Sequence, residues 1–146
     1  MTFNIQGWIE ISRWPDSGGD EHAWQGVLNL GSVVDVADAV SERLFGLSRK
    51  SVQRPHIDNA IAARRGVPPN PSPQVQDAIR QIRADVDLYG KGECGGFTYA
   101  TWEEIRHCSF NEMSFEEEWR IPFGVSRLLE ARCPASQIRF VVWFVW

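Results

Sequence analysis

Cations are concentrated in one stretch of this 146-residue chain. From Arg43 to Arg65 there are six lysine or arginine residues against one acidic residue, Asp58. The same stretch carries a histidine and leads into residues 67–73, four of which are prolines. Arginine forks and the free backbone N–H groups at helix starts bind phosphates and carboxylates. The stretch therefore predicts a site for an anionic small ligand, such as a nucleotide, or for an acidic partner protein.

The candidate ligand-binding residues combine four side chains of this stretch with two aromatic ones. The cationic side chains would contact the anion, and the aromatic rings would stack on the ligand or form a wall of its pocket. They are Arg54, His56, Arg64, Arg65, Trp24 and Tyr99. The alternative is that the arginines form a solvated face or pair with the acidic stretch from Glu93 to Glu118, which holds seven glutamates and one arginine.

Catalysis is a second hypothesis, as a small hydrolase or transferase using Cys94 or His107 with a carboxylate. Lys91 lies near Cys94 and would favour its thiolate, but a free cysteine is commonly a small buried hydrophobe. The glutamates at 103–104 and 116–118 follow a threonine or a serine at a capping position, so helix capping explains them better than acid–base chemistry. We expect no catalytic residues, and the leading hypothesis is a non-enzymatic binding protein.

Neither a metal site nor a cofactor is expected. The glycine-rich residues 90–96 lack the Gly-Lys-Ser/Thr ending of a phosphate-binding loop. His107 and Cys108 are adjacent, so their side chains point in different directions on a regular element, whereas metal ligands usually recur at helical spacing. A third hypothesis rests on the seven tryptophans, some of which could form the interface of a homo-oligomer.

The bulk composition indicates a soluble, cytoplasmic, single-domain protein spanning residues 1–146. Hydrophobic residues make up 43% and charged residues 23% of the chain, as in ordinary globular proteins. The net charge of −4 disfavours duplex nucleic acid and anionic membranes as partners. No apolar run approaches the roughly 18 residues of a membrane span. The three cysteines show no paired spacing, and the N-terminus does not look like a signal peptide.

The elements that would position these residues follow from hydrophobic periodicity. Alternating residues 3–12 predict a half-buried strand, and residues 24–30 a second strand that completes a hairpin. Every residue from Phe140 to Trp146 is apolar, which predicts an inner strand. Gly7 would allow the close approach of a bulky neighbour such as Trp143. Helices are predicted at 35–47, 58–66, 73–90, from 101 and from 114 to 132, where Leu128 and Leu129 would supply the inner face.

The expected fold class is α+β. A single domain would contain a small, mostly antiparallel sheet, formed by the N-terminal hairpin and the C-terminal inner strand. About four to five helices would cover this sheet on one face.

Five segments together carry a resemblance. They are residues 7–10, 43–47, 63–69, 99–102 and 139–143, which read GWIE, RLFGL, ARRGVPP, YATW and RFVVW. In this combination the chain resembles an uncharacterised family of small hypothetical proteins from bacteria and their phages. The resemblance covers most of the chain and implies no activity and no site residue. It implies a setting, the host cytoplasm, in which such proteins often sequester or neutralise a toxin, a defence enzyme or a signalling nucleotide.

Overall fold

Four strands and four α-helices make up the described part of the chain. The structure is a computed structural model that describes residues 4–12, 23–34, 39–46, 60–89, 94–108 and 117–145. In chain order the elements are β1 (Asn4–Ser12), β2 (Trp24–Asn29), α1 (Ala39–Phe45), α2 (Pro73–Tyr89), β3 (Cys94–Thr101), α3 (Trp102–Arg106), α4 (Glu117–Leu129) and β4 (Ile138–Val145). A single 3₁₀ turn follows β2 at Leu30–Ser32, and another precedes β4 at Ala135–Gln137.

The strands form one antiparallel sheet in the order β2-β1-β4-β3. The predicted α+β fold is confirmed, including the hairpin of β1 and β2 and the inner position of the last strand. The strand β4 pairs with β1 from Asn4↔Val145 to Ile11↔Ile138 and with β3 on its other side. An inner strand needs partners for both rows of backbone groups, which explains why the most apolar segment lies there.

Helices cover both faces of the sheet, so the expectation of a single covered face is wrong. On one face, strand residues such as Ile9 and Phe140 pack in the main core with side chains of α1, α3 and α4. On the other face, α2 packs through Val75, Ala78, Ile79 and Ile82 on a second cluster that includes Trp8, Val141 and Trp143. Side chains alternate along a strand, so an all-apolar β4 presents bulky residues to both faces and requires cover on each.

The helix predicted from residue 73 is confirmed, and side-chain capping explains why α2 starts there. The Ser72 hydroxyl accepts a hydrogen bond from the Val75 backbone N–H at 3.3 Å, and Pro73 occupies the first helical position. Proline is well suited there because the first N–H groups of a helix have no intrahelical acceptor. The predicted capping box at Thr101 and Glu104 is likewise present at the start of α3. The box predicted at 114–117 lies outside the described residues.

The short helix predicted for 58–66 is wrong over residues 60–66, which form turns. The backbone N–H groups of Ile61 and Ala62 donate to the last carbonyls of α1, and the N–H of Gly66 donates to Phe97 O in β3. These tertiary acceptors replace the i−4 carbonyls that a helix would supply. Arg64 has a φ of +58°, which also ends regular helix at that residue.

Candidate functional site

Four of the six predicted ligand-binding residues are described by the structure, and these four do not form one cluster. Arg54 and His56 lie outside the described residues. Trp24 is in β2 at one edge of the sheet, whereas Tyr99 is in β3 at the opposite edge, three strand spacings or about 14 Å across the sheet. Their registers also differ, since Trp24 pairs with Ser12 whereas Tyr99 is level with Trp8. Arg64 and Arg65 belong to the segment 60–66, which runs beside β3. The structure therefore brings Tyr99 close to Arg65 but places Trp24 elsewhere.

Arg65 is held by a glutamate of the acidic stretch. Its Nη1 donates to Glu104 Oε1 at 2.9 Å and its Nη2 to Glu104 Oε2 at 2.6 Å. The same two nitrogens donate to the carbonyl oxygens of Tyr99 and Ile61, both at 3.2 Å, and the guanidinium lies 5.8 Å from the centroid of the Tyr99 ring. An incoming anion would have to displace Glu104 from a bidentate pair. Arg65 therefore fits the alternative raised by the sequence, in which the arginines pair with the acidic stretch.

Glu104 joins this ion pair to the start of α3. One of its oxygens accepts hydrogen bonds from the Thr101 backbone N–H and from Arg65. The hydrogen bonds from Arg65 hold the pKa of Glu104 below its ordinary value, against burial, which raises it. The carboxylate therefore stabilises the helix start and holds segment 60–66 against β3 at once.

Arg64 has the opposite character. It is exposed, and its backbone lies in the left-handed region at φ +58°. A non-glycine residue rarely adopts that conformation unless the surrounding contacts impose it. Here the backbone N–H of the next residue, Arg65, is fixed to Thr98 Oγ1 at 3.2 Å. Among the predicted residues that the structure describes, Arg64 has the cation best placed to meet a ligand from solvent.

Trp24 lies against a buried arginine that the sequence did not single out as a site residue. Arg139 Cζ is 3.8 Å from the centroid of the Trp24 ring, and Arg139 Nε donates to Glu10 Oε1 at 2.5 Å. The Arg139 side chain is 4% exposed and that of Glu10 is 0% exposed. The two residues face each other directly in the β1–β4 register. Trp24 is thus engaged in covering an ion pair.

This ion pair fixes the proline-rich loop to the sheet. Arg139 donates to the carbonyl oxygens of Pro69 and Asn70, both at 3.0 Å. Glu10 Oε2 accepts the Ser72 backbone N–H at 2.7 Å. A signal for the pair existed in the sequence, since Glu10 and Arg139 are the charged residues of two otherwise uncharged strands. Buried charges at such positions are normally paired.

The residues of the catalytic hypothesis are spread over two elements. Cys94 begins β3, and its side chain is outside the described part of the chain. His107 is exposed immediately after α3. The Cys108 thiol donates to the Glu104 carbonyl, and burial raises its pKa, which disfavours the thiolate. Across the described residues, no group of three or more His, Cys, Asp or Glu side chains could hold a metal ion.

The helix α4 presents a surface that the sequence analysis assigned to the interior. Its buried side consists of Trp119, Pro122, Phe123 and Ser126, which follow helical spacing. Leu128 was expected on this inner face, and that expectation is wrong, because its side chain is 77% exposed. Ile121, two turns earlier on the same side of the helix, is 53% exposed. Leu129 does pack against the main core, as predicted.

We use the name α4 face for the surface formed by Arg120, Ile121, Gly124, Arg127 and Leu128. Gly124 is its centre, since the other four residues lie three or four positions away and are therefore its neighbours on the helix surface. Apart from its chain neighbours and the backbone of α4 itself, a Cβ atom built on Gly124 would have no atom of the described residues within 4 Å. The α4 face thus has a shallow depression over Gly124, which we call the notch. Its walls are two apolar side chains, Ile121 and Leu128, and two cationic ones, Arg120 and Arg127.

The cations of the α4 face have no anionic partner in the described part of the chain. The ion pairs among the described residues join Arg65, Arg80, Arg106 and Arg139 to acidic residues, and neither Arg120 nor Arg127 is among them. Both arginines are exposed. Apolar side chains and unpaired guanidinium groups on one helix surface favour contact with another macromolecule.

No described helix is long and apolar enough to cross a membrane. No protein-family model, no curated protein and no solved structure matches the chain. The resemblance to small bacterial and phage proteins therefore stays a prediction.

Proposed function

We propose that the protein is a non-enzymatic binding protein that recognises a partner protein through the α4 face. The observation that carries the proposal is the exposure of Leu128 and Ile121 on one side of a helix whose opposite side is built into the core. Exposing two large apolar side chains together is unfavourable in water, and a partner that covers them removes that cost. The flanking arginines supply orientation and specificity.

The resemblance noted above supports a narrower form of this proposal. The protein would act in the cytoplasm, that of the host if a phage encodes it, and would bind and neutralise a toxin or a component of a defence system. Such a role requires a surface that fits its target and no chemistry of its own. The compact sheet and its two helical layers then serve to hold α4 rigidly.

Site-specific crosslinking followed by reconstitution tests the proposal. A photo-crosslinking amino acid at position 128 should capture a protein in cells, whereas the same amino acid at Val67, an apolar residue 43% exposed elsewhere on the surface, should not. The captured protein is then purified and titrated with the wild type and with Leu128→Ser and Ile121→Ser. Each serine variant should weaken binding at least tenfold, as for a residue at an interface hot spot.

The variant Val67→Ser is the matched control and should bind as the wild type does. Far-ultraviolet circular dichroism and thermal unfolding check that the serine variants stay folded, which the exposure of both residues leads us to expect. If no captured protein loses affinity with Leu128→Ser, the α4 face is not a partner-binding surface.

Recognition of an anionic small ligand is a second candidate, favoured by the exposed, left-handed Arg64 beside the fully engaged Arg65. Titration calorimetry with ATP as the probe tests it. Binding should be lost in Arg64→Ala and retained in Arg80→Ala, which removes another exposed arginine, on α2. Equal binding of ATP by both variants would remove Arg64 from the site.

A further inference from the structure

We infer that the α4 face binds an acidic amphipathic helix of its partner, which lies across Gly124, places a small apolar side chain in the notch and directs carboxylates to Arg120 and Arg127. This inference rests on the proposed function and narrows it to one class of partner. Four features of the α4 face support it: the glycine, its ring of neighbours, the local charge and the spacing of the arginines.

The glycine favours a close approach from outside the chain. Glycine weakens a helix relative to alanine because it loses more backbone freedom on folding. Nothing in the described residues requires its small size at position 124, since a Cβ there would meet open space. A second helix packed on this point could come closer than on a larger residue, with its own side chain filling the notch.

The neighbours of Gly124 define what would fill the notch. Ile121 and Leu128 form apolar walls, and Arg120 and Arg127 form cationic ones. An apolar side chain of the partner would contact the first pair. The guanidinium groups would be left without counter-charges unless the partner supplied carboxylates beside that side chain, where bidentate hydrogen bonds can form.

The local charge selects an acidic partner. Between Trp119 and Arg132 the exposed charged residues are Arg120, Arg127, Glu130 and Arg132, and the glutamate is paired with Arg106. Glu117 and Glu118 also belong to α4, but their side chains lie outside the described part of the chain, so the cationic surface meant here is that of Arg120 and Arg127. This cationic surface belongs to a chain of net charge −4. In a two-fold symmetric contact, a second copy of the chain would set the same arginines near each other, which is repulsive. Charge complementarity therefore favours an acidic partner over a copy of this chain.

The spacing of the arginines predicts a pattern in the partner helix. Arg120 and Arg127 are seven residues apart, about 10.5 Å along the helix axis. A helix packed roughly parallel or antiparallel to α4 would meet both with glutamates or aspartates two turns apart. The residue facing Gly124 lies midway between them and would be alanine or another small apolar residue.

A designed peptide of about 18 residues, five helical turns, tests this pattern directly. It carries two glutamates seven residues apart with an alanine midway and leucines on the same face, and its fluorescence anisotropy is followed during titration with the protein. We expect saturable binding that weakens about tenfold when ionic strength rises from roughly 0.1 M to 1 M, because salt screens exposed charges. A peptide of the same composition with both glutamates on the opposite face should bind at least tenfold more weakly.

Substitution of the glycine separates binding from stability. Gly124→Ala should raise the melting temperature, because it strengthens the helix without a clash, and yet weaken peptide binding severalfold. The larger side chain of Gly124→Gln should weaken peptide binding further, while Val67→Ser leaves peptide binding unchanged. A loss of binding in a more stable protein cannot come from unfolding. If Gly124→Gln binds the peptide as tightly as the wild type, the notch is not occupied.

A charge exchange tests the arginines. The double variant Arg120→Glu/Arg127→Glu should lose the glutamate peptide and bind the corresponding lysine peptide, which the wild type should not bind.

Absence of saturable binding of the glutamate peptide to the wild type overturns the inference. So does light scattering that shows a wild-type dimer converted to a monomer by Leu128→Ser, since a second copy would then be the occupant. Adsorption of the wild type, but not of Leu128→Ser, to anionic phosphatidylglycerol vesicles in place of the peptide would also overturn it.

The two proposals can fail separately. If a partner captured at position 128 binds through the α4 face but presents no acidic helix, the binding function stands and the inferred class of partner is wrong. If neither a captured protein nor the peptide depends on Leu128, both fail.

Discussion

Glu10 and Arg139 show how single residues hold this fold together. Removing two charges from water is costly, and their mutual attraction offsets that cost only when the remaining hydrogen-bonding groups are satisfied. Here Arg139 also donates to two loop carbonyls and stacks on Trp24, and Glu10 also accepts a backbone N–H. Burial lowers the pKa of Arg139, and the charge of Glu10 opposes that effect. The pair acts as an anchor for the loop that leads into α2.

Breaking this anchor should be among the most destabilising single changes in the described part of the chain. We expect Arg139→Met to lower the free energy of unfolding by about 3–5 kcal/mol, because it leaves the Glu10 carboxylate buried without a counter-charge. Urea denaturation measures the loss. The double variant Glu10→Gln/Arg139→Met is the control and should recover part of it, since no unpaired charge remains. A loss below about 1 kcal/mol for Arg139→Met, the range of exposed pairs, would contradict this role.

The Arg65–Glu104 pair should make the free energy of unfolding depend on pH. Because the folded-state pKa of Glu104 is lowered, its contribution to stability is present above the unfolded-state pKa of about 4.3 and is lost as pH falls through the folded value. The pair is one-third exposed, so we expect no more than about 1 kcal/mol. Urea denaturation between pH 7 and about pH 3 should show a shallower decline in Glu104→Gln than in the wild type. Arg65→Met should show the same flattening, and a curve parallel to the wild type would contradict the assignment.

Two glycines show how the same residue type serves opposite purposes in a strand and a helix. In β1, a Cβ on Gly7 would lie 2.2 Å from the Val141 carbonyl oxygen and 3.1 Å from Leu30 Cδ1. The expected need for glycine at this position is confirmed, although the close neighbour is the backbone of β4 and not the Trp143 ring. In α4, Gly124 has open space above it. One position excludes any side chain, and the other accepts one.

The same substitution should therefore change stability in opposite directions. Gly7→Ala should destabilise the protein by about 3 kcal/mol or more, since neither the backbone of β4 nor the core can give way easily. Gly124→Ala should stabilise it by up to about 1 kcal/mol, from helix propensity alone. Thermal unfolding reports both, with a shift of roughly 2–4 °C expected for each kcal/mol in a chain of this size. Destabilisation by Gly124→Ala would show that the space above it is used within the molecule.

The sheet edges explain the position of the cationic segment 60–66. At the β3 edge, the Gly66 N–H donates to Phe97 O and the Arg65 side chain to Tyr99 O, so backbone acceptors that could pair with another chain are occupied. At the β2 edge, Gln74 of α2 accepts the Gly26 N–H at 3.1 Å. Covering an edge in this way protects a sheet from pairing with other chains. Arg65 therefore helps to cover the β3 edge. Arg64 projects from the same segment that covers this edge.

At the scale of the whole molecule, β4 joins the two layers of helices. It lies between β1 and β3, with the main core on one face and α2 on the other. We expect deletion of residues 141–146 to abolish cooperative folding, because β1 and β3 would lose most of their pairing with β4 and both clusters would lose strand residues. Circular dichroism during urea titration checks this. A soluble truncated protein with a cooperative transition would show that β4 is dispensable.

The packing of α4 on the main core suits the binding surface proposed for this helix. Its buried side contacts the main core, where Trp119 packs near Phe45 and Phe123 with ring centroids 6.1 and 5.7 Å apart. Glu130, just after α4, accepts hydrogen bonds from Trp102 and Arg106 of α3. Since these contacts fix the helix before any partner arrives, binding would cost little ordering of the backbone.

Local patterns in the sequence determined β1, β2, β4, the caps and the fold class. The alternation of β1, the unbroken apolar run of β4, the Ser72–Pro73 helix start and the Thr101–Glu104 box each depend on residues a few positions apart, so the chain can specify them without its fold. The tertiary structure decided which residues meet. Glu10 and Arg139 are 129 positions apart, and strand register brings them together. Arg65 and Glu104 are 39 positions apart, and they meet because segment 60–66 runs beside β3. Leu128 is apolar, so the sequence alone suggests a core residue. In the fold, Trp119 and Phe123 on another side of α4 pack in the core, and Leu128 is therefore exposed.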